Sequence, residues 1–216
     1  MTKRNQSLLR LVQMAILSAI IVIMGFTVLG SIPLGGPLVA TIAQVPVVIG
    51  AVLLGTKCGC ILGGVFGAVS CLYFTLYSYP TSFVFSPFQS VSLADNAGTA
   101  VLYAVFSLLI CFVPRILIGF VSGSIFSSLG KRGKSPTLGC ILAGVAGSLV
   151  NTLLVLGGIW LFYGQQYLTA TGAAQPMLYL IGSTILVNGL PEAVVTPILT
   201  TAICRPLMLL KKKGKI

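Results

Sequence analysis

Two charged residues stand inside long apolar runs of this 216-residue chain, and each directly follows a proline. Arg115 follows Pro114 in "LICFVPRILIG", and Glu192 follows Pro191 in "ILVNGLPEAVV". Asn188 precedes Glu192 by four residues, so the two share one face if the segment is helical. A guanidinium recognises a carboxylate through two parallel hydrogen bonds, and amides bind neutral polar groups. These residue types favour the reversible binding of a polar or anionic molecule.

The remaining side chains offer little for catalysis. The chain has no histidine, and its only acidic residues are Asp95, in a predicted loop, and Glu192. The six cysteines form no CxxC motif, and no GxxxxGK[ST] loop that would bind ATP phosphates is present. We therefore predict no enzyme, no metal site and no cofactor. The pattern indicates a binding protein, or a subunit whose energy comes from a partner.

The composition identifies the surroundings of these residues as a membrane. Hydrophobic residues make up 56% of the chain and charged residues 7%, whereas soluble domains carry roughly 25% charged residues. The net charge of +11 does not indicate nucleic-acid binding, because the basic residues form short clusters between apolar runs. Such clusters are typical of cytoplasmic loops, so the lipid bilayer is the expected environment.

Six apolar segments predict an all-α bundle of six transmembrane helices, formed by the single domain 1–216. A span needs about 20 apolar residues, and the segments lie at about 8–30, 37–56, 58–79, 101–129, 136–163 and 177–210. With six spans, twelve of the thirteen basic residues fall on one side of the membrane, and Arg115 alone is left over. Both termini are therefore predicted to be cytoplasmic. The basic clusters are Lys3, Arg4 and Arg10; Lys57; Lys131, Arg132 and Lys134; and Arg205, Lys211, Lys212, Lys213 and Lys215.

Four polar residues share one predicted depth. Arg115, Asn151, Asn188 and Glu192 lie 13 to 17 residues from the nearest basic anchor, or about 20–25 Å along a helix, in the outer half of the bilayer. Gln44, early in the second segment, is predicted near the same level. Charges at this depth cost about 3 kcal/mol and face protein or water. A helix kink at each proline would open a cavity there; the alternative is a structural Arg115–Glu192 pair that locks the bundle.

Two loops without basic residues are predicted to lie outside and to cover this site. They span residues 30–37 and 79–100, and the second carries Phe83, Phe85 and Phe88 as a possible apolar lid. Small residues also recur at four-residue spacing, which lets helix backbones approach closely. Most such pairs predict packing inside the bundle; Ala15 and Ala19, beside the N-terminal basic cluster, are the predicted exception.

Four segments together resemble an energy-coupling-factor (ECF) transporter S component. They are "AILSA", "VPRILIGFVSG", "GSLVNTLLVLG" and "LVNGLPEAVVTPIL", and the resemblance covers nearly the whole chain. The later segments are most similar to the pantothenate type, with the folate type second.

The resemblance implies a vitamin-binding subunit of a prokaryotic, ATP-driven importer in the cell membrane. Such a subunit works with a transmembrane coupling subunit and two cytoplasmic ATPases, and Ala15 and Ala19 match the AxxxA motif that docks on the coupling subunit. Arg115 would then bind the vitamin's carboxylate and Glu192 would offset its charge, while Asn151, Asn188 and Gln44 would meet hydroxyl and amide groups. The competing interpretation is a standalone proton-coupled carrier that uses Glu192.

Overall fold

The structure, a computed structural model, describes residues 3–27, 30–35, 38–94, 96–133, 135–172 and 175–212. Asp95, Lys134 and the last four residues, with their basic side chains, lie outside these ranges. In chain order the elements are α1 (Lys3–Phe26), β1 (Ser31–Gly35), β2 (Leu38–Thr41), α2 (Val45–Leu54), α3 (Thr56–Leu76), α4 (Pro87–Ser90), α5 (Ala97–Lys131), α6 (Pro136–Thr171), α7 (Met177–Thr184) and α8 (Leu190–Lys212). Short 3₁₀ turns at Ser82–Val84 and Val91–Leu93 flank α4, and a π-helical turn at Ile185–Gly189 joins α7 to α8.

Five of the six predicted spans are helices long and apolar enough to cross a membrane. They are α1, α3, α5, α6 and the continuous α7–α8 segment. The helices α5 and α6, with 35 and 36 residues, exceed the length of about 20 residues that a bilayer requires, so part of each extends beyond the hydrocarbon core or is tilted. The nearly all-helical membrane architecture is therefore confirmed.

The prediction of a helical second segment was wrong over its first part. The strands β1 and β2 pair antiparallel, with Ser31 opposite Thr41 and Ile32 opposite Ala40. The helix α2 that follows has only 10 residues, or about 15 Å, half the thickness of a hydrocarbon core. Every residue of α2 from Val45 to Val52 is buried. A short helix with non-helical backbone beside it is tolerated at membrane depth because protein surrounds it.

Glycines allow α3 and α5 to pack at close range, and this contact positions Arg115. A Cβ on Gly63 would lie 2.2 Å from the backbone carbonyl oxygen of Arg115, and a Cβ on Gly119 would lie 2.2 Å from the backbone of Gly59. No side chain fits at either position unless the helices separate. These small residues therefore act as internal packing sites in the bundle.

We expect Gly63→Ala to lower the free energy of unfolding by about 1–3 kcal/mol, because overpacking pushes α3 away from α5. Thermal unfolding in detergent, followed by the fluorescence of the single tryptophan, measures this change. The matched control is Gly64→Ala, since nothing lies within 4 Å of a Cβ at Gly64. Alanine there should leave stability unchanged or raise it by up to about 1 kcal/mol, the difference in helix propensity. Equal stability of the two variants would contradict the close helix contact.

Three basic residues of the predicted inner side lie close to the start of α6. Lys131 ends α5 and Arg132 follows it, and the guanidinium of Arg205, near the end of α8, donates to the hydroxyl of Thr137 at the start of α6. At the other end of the bundle, a cluster of buried apolar residues packs the connection between α3 and α5 against α5 and α6. The cluster comprises Phe83, Val84, Ile110, Leu156, Ile159 and Tyr163. The Tyr163 hydroxyl donates to the carbonyl of Tyr103 at 2.6 Å, which ties α6 to α5.

Candidate functional site

A cavity of about 690 Å³ lies between the C-terminal ends of α1 and α3, the connection around Phe85, and the middle of α5, α6 and α8. Its volume falls within the range of about 300–1,000 Å³ that is usual for small-molecule sites. Arg115, Asn151, Asn188 and Glu192 all line it. The structure thus brings together four of the five polar residues proposed from the sequence, each from the segment expected to supply it.

Arg115 is a buried cation whose orientation is set by its own helix and by two aromatic rings. Its side chain is 7% exposed, and Nη1 donates to the carbonyl of Ile110 at 3.1 Å. The guanidinium carbon lies 5.5 Å from the ring centroid of Phe66 and 5.0 Å from that of Phe85, close enough for cation–π attraction. The Nε atom has no hydrogen-bond partner within the described part of the chain. Arg115 therefore offers the cavity a positive charge that no carboxylate contacts directly among the described residues.

Glu192 does not form the ion pair with Arg115 that the sequence interpretation included. Its Oε1 accepts the backbone N–H of Thr41 at 3.0 Å, and its Oε2 accepts the hydroxyl of Thr152 at 3.5 Å. Among the described residues, the hydrogen-bond donors to this carboxylate are Thr41, at the end of β2, and Thr152, in α6, and not the guanidinium of Arg115. Glu192 still faces the same cavity as Arg115, so its charge acts on the site across a gap rather than through direct contact.

The remaining predicted polar residues divide between the cavity and the interior. Asn151 lines the cavity and is 8% exposed, and its buried Oδ1 has no hydrogen-bond partner among the described residues. Asn188 lies in the π-helical turn on the cavity wall. Gln44 is fully buried outside the lining, where its Nε2 donates to the hydroxyl of Thr196 at 3.0 Å. Gln44 thus joins the start of α2 to α8.

Aromatic residues form part of the cavity wall, and only some of them were predicted from the sequence. Of the three phenylalanines proposed as a lid, Phe85 lines the cavity, Phe83 packs on Tyr163 at 5.4 Å between ring centroids, and Phe88 is 76% exposed. The tyrosines of α3 and of the turn after it were not predicted; those on the wall are Tyr73, Tyr77 and Tyr79. The four-residue spacing of Tyr73 and Tyr77 at the outer end of a helix was the available signal.

Ala15 and Ala19 lie away from the cavity, on an exposed face of α1. Large apolar residues continue this face, among them Leu8, Leu11 and Ile16, which are 64%, 65% and 56% exposed. Of the most apolar 18-residue stretch of α1, only 6% is buried within the chain, compared with 33% for the corresponding stretch of α3. The pair therefore does not pack inside this chain.

The fold and the site define a membrane protein that binds small molecules, and sequence comparison gives its family. The sequence profile described as "ECF transporter, substrate-specific component" matches residues 9–204. The chain belongs to this family, whose members are components of transporters and not enzymes.

Named relatives within the family are pantothenate transporters. The chain is 37% identical over 167 residues to "Pantothenic acid transporter PanT" of Lactococcus lactis subsp. cremoris strain MG1363, an alignment that covers 77% of this chain and 76% of that protein. It is 34% identical over 133 residues to "Pantothenate transporter PanT" of Leuconostoc mesenteroides subsp. mesenteroides, covering 59% and 56% of the two chains. The fold resembles the crystal structure of the S-component for biotin from an ECF-type ABC transporter, with a TM-score of 0.61, 20% identity, and coverage of 96% and 94%.

Proposed function

We propose that this chain is the substrate-binding membrane subunit of an ATP-driven ECF-type importer, and that its substrate is pantothenate. The observation that carries the proposal is the buried guanidinium of Arg115, which lies on the wall of a 690 Å³ cavity without a carboxylate partner among the described residues. Pantothenate carries one carboxylate, one amide and two hydroxyl groups. The carboxylate matches Arg115, and the other groups match Asn151, Asn188 and the wall tyrosines.

Two alternatives receive less support. Folate carries two carboxylates, whereas Arg115 is the only basic residue among the described residues that line the cavity. A proton-coupled carrier would need Glu192 to exchange protons with water, yet its two oxygens accept hydrogen bonds from Thr41 and Thr152. The similarity to named pantothenate transporters also favours pantothenate over folate.

The proposal includes partners and a place in the cell. The chain would lie in the prokaryotic plasma membrane as six spans, counting the short α2, with both termini in the cytoplasm. A transmembrane coupling subunit would dock on α1 at Ala15 and Ala19, and two cytoplasmic ATPase subunits would supply the energy. Uptake of radiolabelled pantothenate by cells that produce this chain with a coupling subunit and ATPases tests the proposal. Uptake equal to that of cells without this chain would contradict it.

The topology makes a separate prediction for cysteine labelling. A membrane-impermeant maleimide applied to intact cells should label Phe88→Cys, because Phe88 is 76% exposed at the end of the bundle proposed to face outward. Arg132→Cys, in the exposed turn between α5 and α6, should react only after the cells are opened. The unaltered chain sets the background from the six native cysteines. Labelling of Arg132→Cys in intact cells would contradict the orientation.

A further inference from the structure

The bond between Arg115 and Ile110 depends on a backbone group that Pro114 leaves free. The helix α5 continues through Pro114 from Ala97 to Lys131. In an α-helix the N–H of residue 114 would donate to the carbonyl of residue 110, but proline has no N–H. Ile110 is 2% exposed, and a buried carbonyl needs a donor. Nη1 of Arg115 supplies it at 3.1 Å.

This bond is one of three restraints that hold the guanidinium in a single orientation. Phe66, on α3, and Phe85, on the connection after α3, contribute rings whose centroids lie 5.5 and 5.0 Å from the guanidinium carbon. Phe85 is itself fixed by stacking on Phe74, with ring centroids 4.7 Å apart. The rings attract the guanidinium charge, whereas the Ile110 carbonyl accepts a hydrogen bond from one of its N–H groups and so sets its rotation. An ordered guanidinium loses little entropy when a carboxylate binds.

We propose that Pro114 is a positioning residue that gives the site its preference for a carboxylate over an uncharged group. Alanine at position 114 would restore the N–H, which would take the Ile110 carbonyl into the helix and release Nη1 of Arg115. The charge would stay in the cavity, but its orientation would no longer be fixed. This inference rests on the proposed function, because it assumes that the ligand carboxylate binds Arg115.

The test compares two ligands that differ at the carboxylate, pantothenate and its alcohol analogue pantothenol, on the purified full-length chain. Pro114→Ala should weaken pantothenate binding by about tenfold, equivalent to one charge-assisted hydrogen bond. Pantothenol binding should change by less than about twofold, since it makes no such bond. The matched control is Pro206→Ala, because Pro206 also lies inside a helix, α8, but is exposed and away from the cavity. It should change neither affinity.

Two further measurements separate positioning from a general structural role. In the Arg115→Lys background, Pro114→Ala should have no additional effect on pantothenate affinity, because its effect acts through the guanidinium. The thermal stability of Pro114→Ala without ligand should be no lower than that of the wild type, since proline in a helix interior is unfavourable. Pro114→Ser, which also restores the N–H, replaces the alanine variant if the latter does not purify as folded protein.

Equal weakening of both ligands by Pro114→Ala, or no weakening of pantothenate, would overturn the inference while leaving the proposed function intact. A wild-type chain that binds pantothenate no more tightly than pantothenol would also overturn it. If the wild-type chain binds no pantothenate, the proposed function itself fails, and this inference fails with it.

Discussion

Arg115→Lys is expected to weaken pantothenate binding by about thirtyfold or more. Lysine keeps the positive charge but lacks the planar fork that binds both carboxylate oxygens, and the loss of such a charge-assisted bond is worth about 2 kcal/mol. Lysine also has no Nη1 to donate to the Ile110 carbonyl, a bond that is 3.1 Å long in the wild type. Isothermal titration of the purified variant with pantothenate measures the change.

The control for this substitution is Arg205→Lys. Arg205 lies near the C-terminal end of α8, where its guanidinium contacts Thr137, and it does not line the cavity. We expect its pantothenate affinity to equal that of the wild type. If Arg115→Lys folds as the wild type does and binds pantothenate as tightly, Arg115 has only a structural role and the ligand binds elsewhere.

Replacing both Ala15 and Ala19 with tryptophan is expected to abolish pantothenate uptake and to leave binding to the isolated chain unchanged. The two alanines are exposed on α1 and line no part of the cavity. Small residues let a partner helix approach closely, and two indole rings at four-residue spacing would prevent that approach. Uptake is measured in cells that contain the coupling subunit and the ATPases, and binding is measured on the purified variant.

Leu149→Trp/Leu153→Trp is the matched control for this double substitution. Leu149 and Leu153 have the same four-residue spacing on α6 and are 42% and 55% exposed. Tryptophan there should leave both uptake and binding intact. Wild-type uptake by the Ala15/Ala19 variant would show that this face of α1 does not dock the coupling subunit.

The convergence of the polar residues on one cavity was predictable from the sequence because helices convert residue counts into distances. Arg115, Asn151, Asn188 and Glu192 were placed at one level by counting from basic anchors, and all four line one cavity. The anchors themselves were recognisable because lysine and arginine are excluded from the hydrocarbon core unless they are paired or buried. These inferences used only the geometry of the α-helix, the lengths of the apolar segments and the positions of the charged residues.

The partner of Glu192 was not predictable, because it belongs to a backbone hairpin that apolar composition does not reveal. The second segment is apolar enough to be counted as a helix, yet its first residues form the strand β2. The backbone N–H of Thr41, the last residue of β2, donates to Oε1 of Glu192 at 3.0 Å. Gln44 illustrates a second limit. A count along the chain gives depth but not direction, and Gln44 turns away from the cavity to bond Thr196. Which side of a helix faces a cavity depends on tertiary packing.

Pro114, the residue before Arg115, has a consequence in the structure beyond the helix kink expected from the sequence. Pro114 was interpreted from the sequence as the source of a helix kink, whereas the structure shows that the carbonyl of Ile110, which proline leaves without its helical donor, accepts a hydrogen bond from Arg115. The rings of Phe66 and Phe85 lie beside the guanidinium in this orientation. Those contacts come from α3 and from the connection after it, and no local pattern in α5 encodes them.

Equilibrium binding of radiolabelled pantothenate to the purified chain without partner subunits tests whether this chain alone forms a pantothenate site. We expect saturable binding that unlabelled pantothenate displaces fully. Pantothenol should displace it only at higher concentration, because it cannot pair with Arg115, and biotin and folate should not displace it. If folded protein shows no saturable binding, or if biotin or folate displaces as effectively as pantothenate, this chain does not form a pantothenate site.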